Sequence, residues 1–469
     1  MDSLACKVLV VGGGPGGYVA AIRAGQLGLD TVIVEADRLG GTCLNRGCIP
    51  SKALIQGASS YEEMLSHTGK GHMGICLPSA PVLDLADMVS WKNTVVDKLN
   101  QGVAGLLKKA GVKVVNGWAT FSDAKTCEVE GEQGSLSISA EYVILANGSS
   151  VSALPDIPLG GNVISSTEAL NLDGLPDELA IIGAGYIGLE LGIAYRKMGA
   201  KVTFIEGLER ILPLFDKEMT RPIENWLKRH EVEVVCQARA EKVETVNDKP
   251  VLFYRDKQGQ QRSIAADKVL VTVGRRPNTL GWGLENMCVD MEGSHVKVDK
   301  QCRTSMKNVW AIGDLVGEPM LAHKATAQGE MVAEVIAGER REFDARAIPS
   351  VCFTEPEIVG VGLSPAEATQ QGIETVVGKF PFAAIGKALA MNAGTDGGFV
   401  RVTARADNHL VIGMHAVGAH VAELSNQFAL ALELGTCLED ISGTIHVHPT
   451  LGEATMEAAL AGLGKAIHA

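Results

Sequence analysis

One structural unit occurs twice in this chain of 469 residues, and it constrains the fold more than any other feature. The segment KVLVVGGGPGGYVAAIRAGQLGLDTVIVE, residues 7–35, reads as a strand, a glycine-rich turn, a helix and a second strand that ends in Glu35. The segment LAIIGAGYIGLELGIAYRKMGAKVTFIE, residues 179–206, repeats this order and ends in Glu206. In both copies the glutamate follows the first glycine of the turn by 23 residues. A parallel α/β domain of the dinucleotide-binding type is therefore predicted at each position.

Each turn has the spacing G-x-G-x-x-G, formed by Gly12, Gly14 and Gly17 in the first copy and by Gly183, Gly185 and Gly188 in the second. The first glycine permits a tight turn, the second lets a pyrophosphate approach the backbone, and the third lets the helix pack on the strand. The helix N-terminus offers N–H groups and partial positive charge to the phosphates. One such turn could belong to another kind of α/β protein, whereas two copies at equal spacing predict two bound dinucleotides.

The glutamate that closes the second unit indicates which nicotinamide cofactor is bound. A carboxylate at the position of Glu206 hydrogen-bonds the 2′-hydroxyl of NAD and repels the 2′-phosphate of NADP. The next arginine along the chain is Arg210. NAD is therefore favoured over NADP, and Glu35 is expected to bind a ribose in the same way in the first unit.

The composition is that of an ordinary globular protein, with 46% hydrophobic and 21% charged residues. The length predicts about three domains. A net charge of −13 argues against nucleic acid or an anionic membrane as the main partner. No apolar run approaches the ~18 residues of a transmembrane helix, and the first strand begins too early for a signal or transit peptide. The ten cysteines follow no disulfide framework, which predicts a reducing, cytoplasmic location.

The stretch GGTCLNRGCIPSK, residues 40–52, contains the one close pair of cysteines, Cys43 and Cys48. In a regular helix their Cα atoms would be about 8–9 Å apart, and a disulfide needs less than about 7 Å. Gly47 and the glycines before Cys43 could permit a distorted turn that brings the sulfurs together, and an accessible disulfide of that kind would be catalytic. The alternatives are unrelated buried thiols or a metal site, but no second cysteine pair or histidine cluster lies nearby. A flavin accepts the two electrons of a dithiol, so FAD is predicted at the first turn and NAD at the second.

The cysteine motif, both glycine turns and the segments VWAIGD, MLAHKA and HVHPTLGE together resemble the dihydrolipoyl dehydrogenases, within the flavin disulfide reductases. The resemblance extends from residue 7 to about residue 461. It implies an α/β protein with two Rossmann-like domains, for FAD and NAD, and a C-terminal α+β dimerisation domain. The implied boundaries are residues 1–148 and 277–345 for the two parts of the FAD-binding domain, 149–276 for the NAD-binding domain and 346–469 for the dimerisation domain.

The resemblance implies roles for four side chains around the flavin. Cys48 is the sulfur nearer the flavin, whose thiolate forms a charge-transfer contact, and Cys43 is the interchange thiol that attacks the substrate disulfide. Lys52 is implied beside the flavin ring, with Glu190 of GYIGLE as its partner. A cation there would stabilise the reduced, anionic flavin electrostatically.

The same resemblance identifies a base in the C-terminal segment HPTLGE. His448 is the implied imidazole and Glu453 the carboxylate that holds it, which fixes the tautomer and raises the basicity. Such a base deprotonates a dithiol substrate or the interchange thiol, and His446 is expected to be supporting. In the family this pair comes from the other subunit, so the active enzyme is expected to be a homodimer.

Further backbone and side-chain contacts to the cofactors are implied at Gly41, Thr42, Gly117, Gly148, Asp314 and Ala322 for FAD, and at Ala240 and Gly274 for NAD. Asp314 is expected on the ribityl chain, and Ala322 with its neighbours at the isoalloxazine. No metal site is expected.

Three residues leave open questions. Asn147 stands where relatives usually carry threonine, in a backbone-contact segment that should tolerate the change. Arg46 lies between the cysteines where many relatives have an apolar residue, and it could lower the thiol pKa values or point to solvent. Tyr186 could cover the nicotinamide pocket as a movable lid or be an ordinary packed tyrosine.

Other functions fit this sequence less well, both among the flavin disulfide reductases and outside them. A glutathione or trypanothione reductase is disfavoured by Glu206, by the absence of an arginine pair for a 2′-phosphate and by the sequence IPSK. A mercuric reductase would carry a cysteine pair in the tail GLGKAIHA, and a soluble transhydrogenase would lack the Cys43–Cys48 pair. A non-catalytic FAD-containing binding protein would need neither the dithiol nor the histidine base.

The expected partner is the lipoyl domain of an acyltransferase component of a 2-oxo acid dehydrogenase, or a glycine cleavage carrier protein. The segments GQLGL, SSTEAL and LGIAYRKMGA resemble bacterial versions associated with branched-chain 2-oxo acids. The sequence leaves the choice of complex open.

Overall fold

A computed structural model of the chain describes residues 2–132, 134–247, 249–394 and 396–468. The strands are β1 (Asp2–Val11), β2 (Thr31–Glu35), β3 (Lys113–Asn116), β4 (Trp118–Phe121), β5 (Thr126–Gly131), β6 (Gly134–Leu145), β7 (Ser149–Val151), β8 (Val163–Ile164), β9 (Glu178–Ile182), β10 (Lys201–Ile205), β11 (Glu233–Val235), β12 (Arg239–Val246), β13 (Lys249–Arg255), β14 (Gln261–Ala265), β15 (Lys268–Val271), β16 (Arg275–Pro277), β17 (Met291–Glu292), β18 (His295–Val296), β19 (Val309–Ala311), β20 (Ser350–Cys352), β21 (Glu357–Gly362), β22 (Thr375–Pro381), β23 (Phe399–Arg405) and β24 (Val411–Gly418).

The α-helices are α1 (Pro15–Gln26), α2 (Gly41–Arg46), α3 (Cys48–Ser66), α4 (Leu85–Lys109), α5 (Ser166–Ala169), α6 (Tyr186–Met198), α7 (Lys217–Arg229), α8 (Ala322–Ile336), α9 (Pro365–Gln370), α10 (Gly386–Ala390), α11 (Ser425–Leu434), α12 (Leu438–Gly443) and α13 (Glu453–Gly462). Short 3₁₀ turns cover Leu284–Met287, Gly313–Val316, Phe382–Ala384 and Val421–Leu424.

The chain forms two compact units, and each contains one glycine turn. Unit 1 comprises Met1–Pro155, Ser165–Gly174 and Val273–Asp344, and unit 2 comprises Asp156–Ile164, Leu175–Thr272 and Ala345–Ala469. The four segments predicted from the sequence divide the chain more finely than these two units, and their bounds stay predictions.

Unit 1 is built on a sheet with the order β3-β2-β1-β6-β5-β4, in which β19 also pairs with β6. Strands β1, β2, β3, β6 and β19 run parallel, and β4 and β5 add antiparallel pairs. The last four residues of β1 and the apolar residues of β2 are buried, as expected for parallel strands that are covered on both faces. Helices α1, α4 and α8 supply apolar side chains to one of the two buried clusters of this unit.

Unit 2 combines a second parallel sheet with an antiparallel one. The parallel sheet has the order β11-β10-β9-β15-β8, and β12, β13 and β14 form a separate three-stranded antiparallel sheet. The C-terminal part has an antiparallel sheet of order β20-β21-β24-β23-β22, whose core includes residues of α11, α12 and α13. The predicted fold class, two Rossmann-like parts and a C-terminal α+β part, is confirmed.

Two absences hold for the part of the chain that the structure describes. None of its helices combines the length and apolar character needed to traverse a bilayer. No group of three or more histidine, cysteine or acidic side chains is arranged to hold a metal ion among the same residues.

Candidate active site

Matching hydrogen bonds fix the two glutamates at the ends of β2 and β10. Glu35 accepts from the backbone N–H of Gly13 at 2.6 Å and from that of Asp37 at 2.9 Å. In unit 2, Glu206 accepts the two equivalent bonds, from the N–H of Ala184 at 2.6 Å and from that of Leu208 at 2.7 Å. A carboxylate has about four acceptor sites, so each glutamate keeps lone pairs for ribose hydroxyls.

The first and third glycines of each turn are required by the turn itself. Gly12 and Gly183 share a φ of +101°, in a region that favours glycine. A Cβ on Gly17 would lie 1.8 Å from the Gly12 oxygen, and one on Gly188 would lie 2.2 Å from the Gly183 oxygen. Each helix therefore packs directly on its turn, as the spacing predicts.

The second glycine of each turn borders open space. A Cβ on Gly185 would meet no atom within 4 Å, and one on Gly14 would meet only the Cα of Gly41, at 4.0 Å. These two glycines are also the N-caps of α6 and α1, and neither cap carries a side-chain hydrogen bond. The residues present therefore fit a pyrophosphate at each helix N-terminus; FAD in unit 1 and NAD in unit 2 stay predictions.

Cys43 and Cys48 form a disulfide in which the two Cα atoms are 4.6 Å apart. Helix α2 ends at Arg46 and α3 begins at Cys48, because Gly47 leaves the helical region with φ −142° and ψ −109°. A Cβ on Gly47 would lie 2.9 Å from the Thr42 oxygen. The distorted turn predicted at Gly47 is confirmed, and it brings the two sulfurs together.

The redox loop lies directly against the first glycine turn. The N–H of Gly40 donates to the Gly13 oxygen at 2.7 Å. A Cβ on Gly41, whose φ is +56°, would lie 2.6 Å from the Cα of Gly14. The disulfide and the predicted FAD turn are thus neighbours within unit 1.

Arg275 connects two of the predicted FAD contacts and was missed by the sequence analysis. Its guanidinium donates to the Thr42 hydroxyl at 3.4 Å and to the Ser149 oxygen at 2.6 Å, and its Nε donates to the Ser149 hydroxyl at 2.8 Å. The Ser149 hydroxyl in turn donates to Asp314. The one sequence signal for Arg275 is its position directly after Gly274, and this position does not specify Thr42 or Ser149 as partners.

The other predicted FAD contacts also lie in unit 1. The N–H of Gly117 donates to the backbone oxygen of Glu35 at 2.9 Å, so Gly117 is beside the glutamate predicted to bind a ribose. Gly148, with φ +68°, immediately precedes β7, and Ala322 is the first residue of α8. Their contacts with the cofactor stay predictions.

The two predicted NAD contacts fall in different units. Ala240 lies on β12 in unit 2, where it pairs with Tyr254. Gly274 lies in unit 1, with φ +112°. Both contacts stay predictions.

Arg46 pairs with Asp37 just after β2. Burial raises the pKa of Glu35, and the positive charge of Arg46 opposes that rise. Arg46 therefore pairs with Asp37 and acts electrostatically on Glu35, the carboxylate predicted to bind a ribose.

His448 and Glu453 form the predicted pair, with 2.8 Å between His448 Nδ1 and Glu453 Oε1. The second carboxylate oxygen accepts from the N–H of Thr450 at 2.8 Å. Burial opposes ionisation of Glu453, but the hydrogen bonds from Thr450 and His448 hold its pKa below the usual range. An ionised carboxylate that accepts from Nδ1–H leaves Nε2 as the basic nitrogen, and the imidazole is 78% exposed.

Two neighbouring side chains have defined environments. The ring nitrogens of His446 contact the Thr444 oxygen at 2.9 Å and the Gln427 amide at 3.3 Å, which supports a role in holding this loop. Tyr186 begins α6 and is 42% exposed, so it is not packed in the interior, and the lid role stays a prediction.

The two residues of the predicted Lys52–Glu190 pair lie in different units. Lys52 lies on α3, one helical turn after Cys48. Glu190 lies on α6, is 4% exposed and accepts from the N–H of Phe353 at 3.0 Å. The pairing stays a prediction.

Comparison with known proteins agrees with this geometry. The family described as pyridine nucleotide-disulphide oxidoreductase matches residues 6–329, and its dimerisation domain matches residues 348–459. The chain is 56% identical over 466 residues to dihydrolipoyl dehydrogenase of Pseudomonas aeruginosa, covering 99% of both chains. It is 46% identical over 463 residues to dihydrolipoyl dehydrogenase of Geobacillus stearothermophilus, covering 98% of this chain and 97% of the relative.

Two solved structures are similar over nearly the whole chain. LpdA from Mycobacterium tuberculosis has a TM-score of 0.88 at 26% identity and covers 97% of this chain and 99% of its own. The HOCl-induced flavoprotein disulfide reductase RclA from Escherichia coli has a TM-score of 0.84 at 26% identity, with the same coverage. The chain therefore belongs to the pyridine nucleotide-disulphide oxidoreductases and, within them, to the dihydrolipoyl dehydrogenase family, which uses FAD and NAD as the two glycine turns predict.

Proposed function

We propose that this protein oxidises protein-bound dihydrolipoamide to lipoamide and reduces NAD, through the Cys43–Cys48 disulfide and FAD. The observation that carries the proposal is the position of this disulfide, which lies against the first glycine turn through Gly41 and Gly14. Bound FAD supplies a two-electron relay between the dithiol and NAD. The remaining steps depend on side chains of this chain.

The thiol chemistry begins with a proton transfer to His448. Its Nε2 takes the proton of one substrate thiol, and the resulting thiolate attacks the sulfur of Cys43. The Cys43–Cys48 bond breaks, a mixed disulfide forms with Cys43, and Cys48 leaves as a thiolate. The sulfur of the second substrate thiol attacks the substrate sulfur of the mixed disulfide, and its proton passes to the Cys43 sulfur, which leaves. This releases lipoamide and leaves Cys43 reduced, so two electrons have moved from substrate to protein.

Glu453 holds the imidazole of His448 in the tautomer and orientation that a base needs. Its carboxylate accepts from Nδ1–H at 2.8 Å, so the proton taken from the substrate enters at Nε2 and the imidazolium is stabilised electrostatically. Lys52, with Glu190 as partner, provides the positive charge beside the flavin ring.

The enzyme is proposed to work as a homodimer in the cytoplasm, with His448 acting in the site of the partner subunit. The high exposure of the imidazole and the match of residues 348–459 to a dimerisation domain support this arrangement. The proposed macromolecular substrate is the lipoyl domain of a 2-oxo acid dehydrogenase acyltransferase, with the branched-chain complex as one candidate, or the glycine cleavage carrier protein.

The proposal is tested with purified holoenzyme and two substrate pairs. Dihydrolipoamide with NAD should be converted rapidly, whereas glutathione disulfide with NADPH should react at a small fraction of that rate. The reverse preference would overturn the proposal and would favour a glutathione reductase. Isolated lipoyl domains from each candidate complex, compared by kcat/KM, then identify the physiological partner.

A further inference from the structure

We propose that Arg401, on the C-terminal sheet of unit 2, is a positioning residue for the adenosine half of NAD and acts through Asp216. The inference rests on the proposed function, because it takes the turn at Gly183 as the NAD site. Arg401 contacts neither the turn nor Glu206 among the described residues. Its effect is instead transmitted by the loop between Glu206 and Asp216.

Arg401 lies on β23, is 4% exposed and forks between two carboxylates at the start of α7. One terminal nitrogen donates to Asp216 at 2.5 Å and the other to Glu218 at 3.1 Å. Asp216 is also the N-cap of α7, where it accepts from the N–H groups of Glu218 and Met219, each at 3.1 Å. A buried fork of this kind fixes orientation as well as distance.

The loop of residues 207–215 leads from Glu206 to Asp216 and contacts the glycine turn that is predicted to bind NAD. The N–H of Leu212 donates to the Ala184 oxygen at 3.1 Å, while the N–H of Ala184 donates to Glu206. Leu212 is 4% exposed, whereas Leu214 is 90% exposed. The loop is therefore held at the turn and at Asp216. Between them the Arg210 guanidinium donates to the Pro213 and Phe215 oxygens, while the Leu214 side chain faces solvent. Moving its Asp216 end would shift Ala184, the residue whose N–H orients Glu206.

Among the described residues, the guanidinium of Arg401 donates hydrogen bonds to Asp216 and Glu218. Its neighbour across the sheet is His415, whose pKa is lowered to about 4, mainly by burial, so that it is neutral at physiological pH. Burial opposes ionisation of Asp216, but the hydrogen bond and charge of Arg401 hold its pKa below the usual range. Among the described residues, Arg401 Nε has no hydrogen-bond partner. Since a buried ion pair is weak evidence for stability, its main contribution here is to fix the position of the loop.

The other end of the same helix offers a matched control. Arg229, in the last turn of α7, pairs with Asp396 of the C-terminal part at 2.9 Å, and its side chain is 51% exposed. Exposed pairs of this kind contribute little. Arg229→Met therefore removes a contact between α7 and the C-terminal part of unit 2 without touching the loop.

The experiment compares wild-type, Arg401→Met, Arg401→Lys and Arg229→Met holoenzymes. Arg401→Met should raise the KM for NAD and the Kd for ADP-ribose by at least about 5-fold, while kcat at saturating NAD and the KM for dihydrolipoamide stay within about twofold. ADP-ribose should respond as NAD does, because it contains the adenosine half and lacks nicotinamide. Arg401→Lys should recover part of the affinity, and Arg229→Met should match the wild type.

An unchanged Kd for ADP-ribose in folded Arg401→Met protein would overturn the inference, as would an equal rise in Arg229→Met. If Arg401→Met does not fold, the Kd for ADP-ribose is measured in Asp216→Asn instead. Asparagine keeps the helix cap and removes the negative charge that pairs with Arg401. A raised Kd in that variant supports the inference, and an unchanged one overturns it. A wild-type enzyme that does not bind ADP-ribose would overturn the proposed NAD site as well, so the two failures are distinguishable.

Discussion

The substitution Gly185→Ala should separate NAD binding from folding. Gly185 has φ −77° and ψ −175°, an extended conformation open to any residue, and an added Cβ meets nothing within 4 Å. The weaker N-cap of alanine costs up to about 1 kcal/mol, and the lower entropy of the unfolded chain offsets about 0.4–1 kcal/mol of this. The free energy of unfolding should therefore change by less than about 1 kcal/mol.

The effect on binding should be much larger than the effect on folding. The new methyl group occupies the space in which a pyrophosphate approaches the backbone at the start of α6. Losing one hydrogen bond between an N–H group and a charged oxygen costs about 1.5–3 kcal/mol, which corresponds to about a 10- to 150-fold loss of affinity. The KM for NAD should rise by at least that lower factor, with the FAD content unchanged.

Gly188→Ala provides the matched comparison in the same turn. Its Cβ would lie 2.2 Å from the Gly183 oxygen and 2.6 Å from the Thr272 hydroxyl. Forcing a methyl group into such a contact typically costs about 1–3 kcal/mol, so this variant should lose stability as well as NAD affinity. The assays are thermal unfolding of each holoenzyme and the KM for NAD with dihydrolipoamide. A wild-type KM in Gly185→Ala, or equal destabilisation of both variants, would refute the assignment of the turn.

Three further outcomes are expected. Cys48→Ser should lose dihydrolipoamide oxidation and the long-wavelength absorbance band that follows two-electron reduction, whereas Cys43→Ser should be inactive but show that band without reduction; a band in reduced Cys48→Ser would contradict the roles. Glu206→Ala with basic residues placed after it should relax the preference for NAD, and a wild-type enzyme that already uses NADPH equally well would show the interpretation of Glu206 to be wrong. Because burial lowers the pKa of His415 from 6.5 to about 4, the unfolded chain takes up a proton in that window that the native protein does not. The free energy of unfolding should then fall by about 3 kcal/mol from pH 6.5 to pH 4. His415→Gln should reduce this acid slope in thermal unfolding, and identical slopes would contradict the assignment.

Local patterns predicted the features that depend on neighbouring residues. The two strand–turn–helix units were predictable because glycine spacing and a closing glutamate determine them within a short segment. The hydrogen bond that Glu35 accepts from the N–H of Gly13, directly after the first glycine, is equally local, and Glu206 accepts the equivalent bond from Ala184.

Contacts between distant segments were not predictable in this way. Arg275 reaches Thr42 and Ser149 across well over one hundred residues of sequence, and no periodicity specifies such a partner. Arg46 lies between the cysteines in sequence, but its guanidinium pairs with Asp37, just after the end of β2. Arg401 and Asp216 likewise meet only because β23 packs against the start of α7.

The central claim is that a complete site combines the disulfide of one subunit with the His448 base of its partner. Inactive Cys43→Ser and His448→Gln proteins are mixed in equal amounts, and their subunits are allowed to exchange. About half of the dimers are then mixed, and each rebuilds one of two sites, so about a quarter of wild-type activity should return. His448→Gln alone should have lost at least ~10²-fold in activity. No recovery despite demonstrated exchange would place His448 and the disulfide in the site of one chain and would contradict the claim.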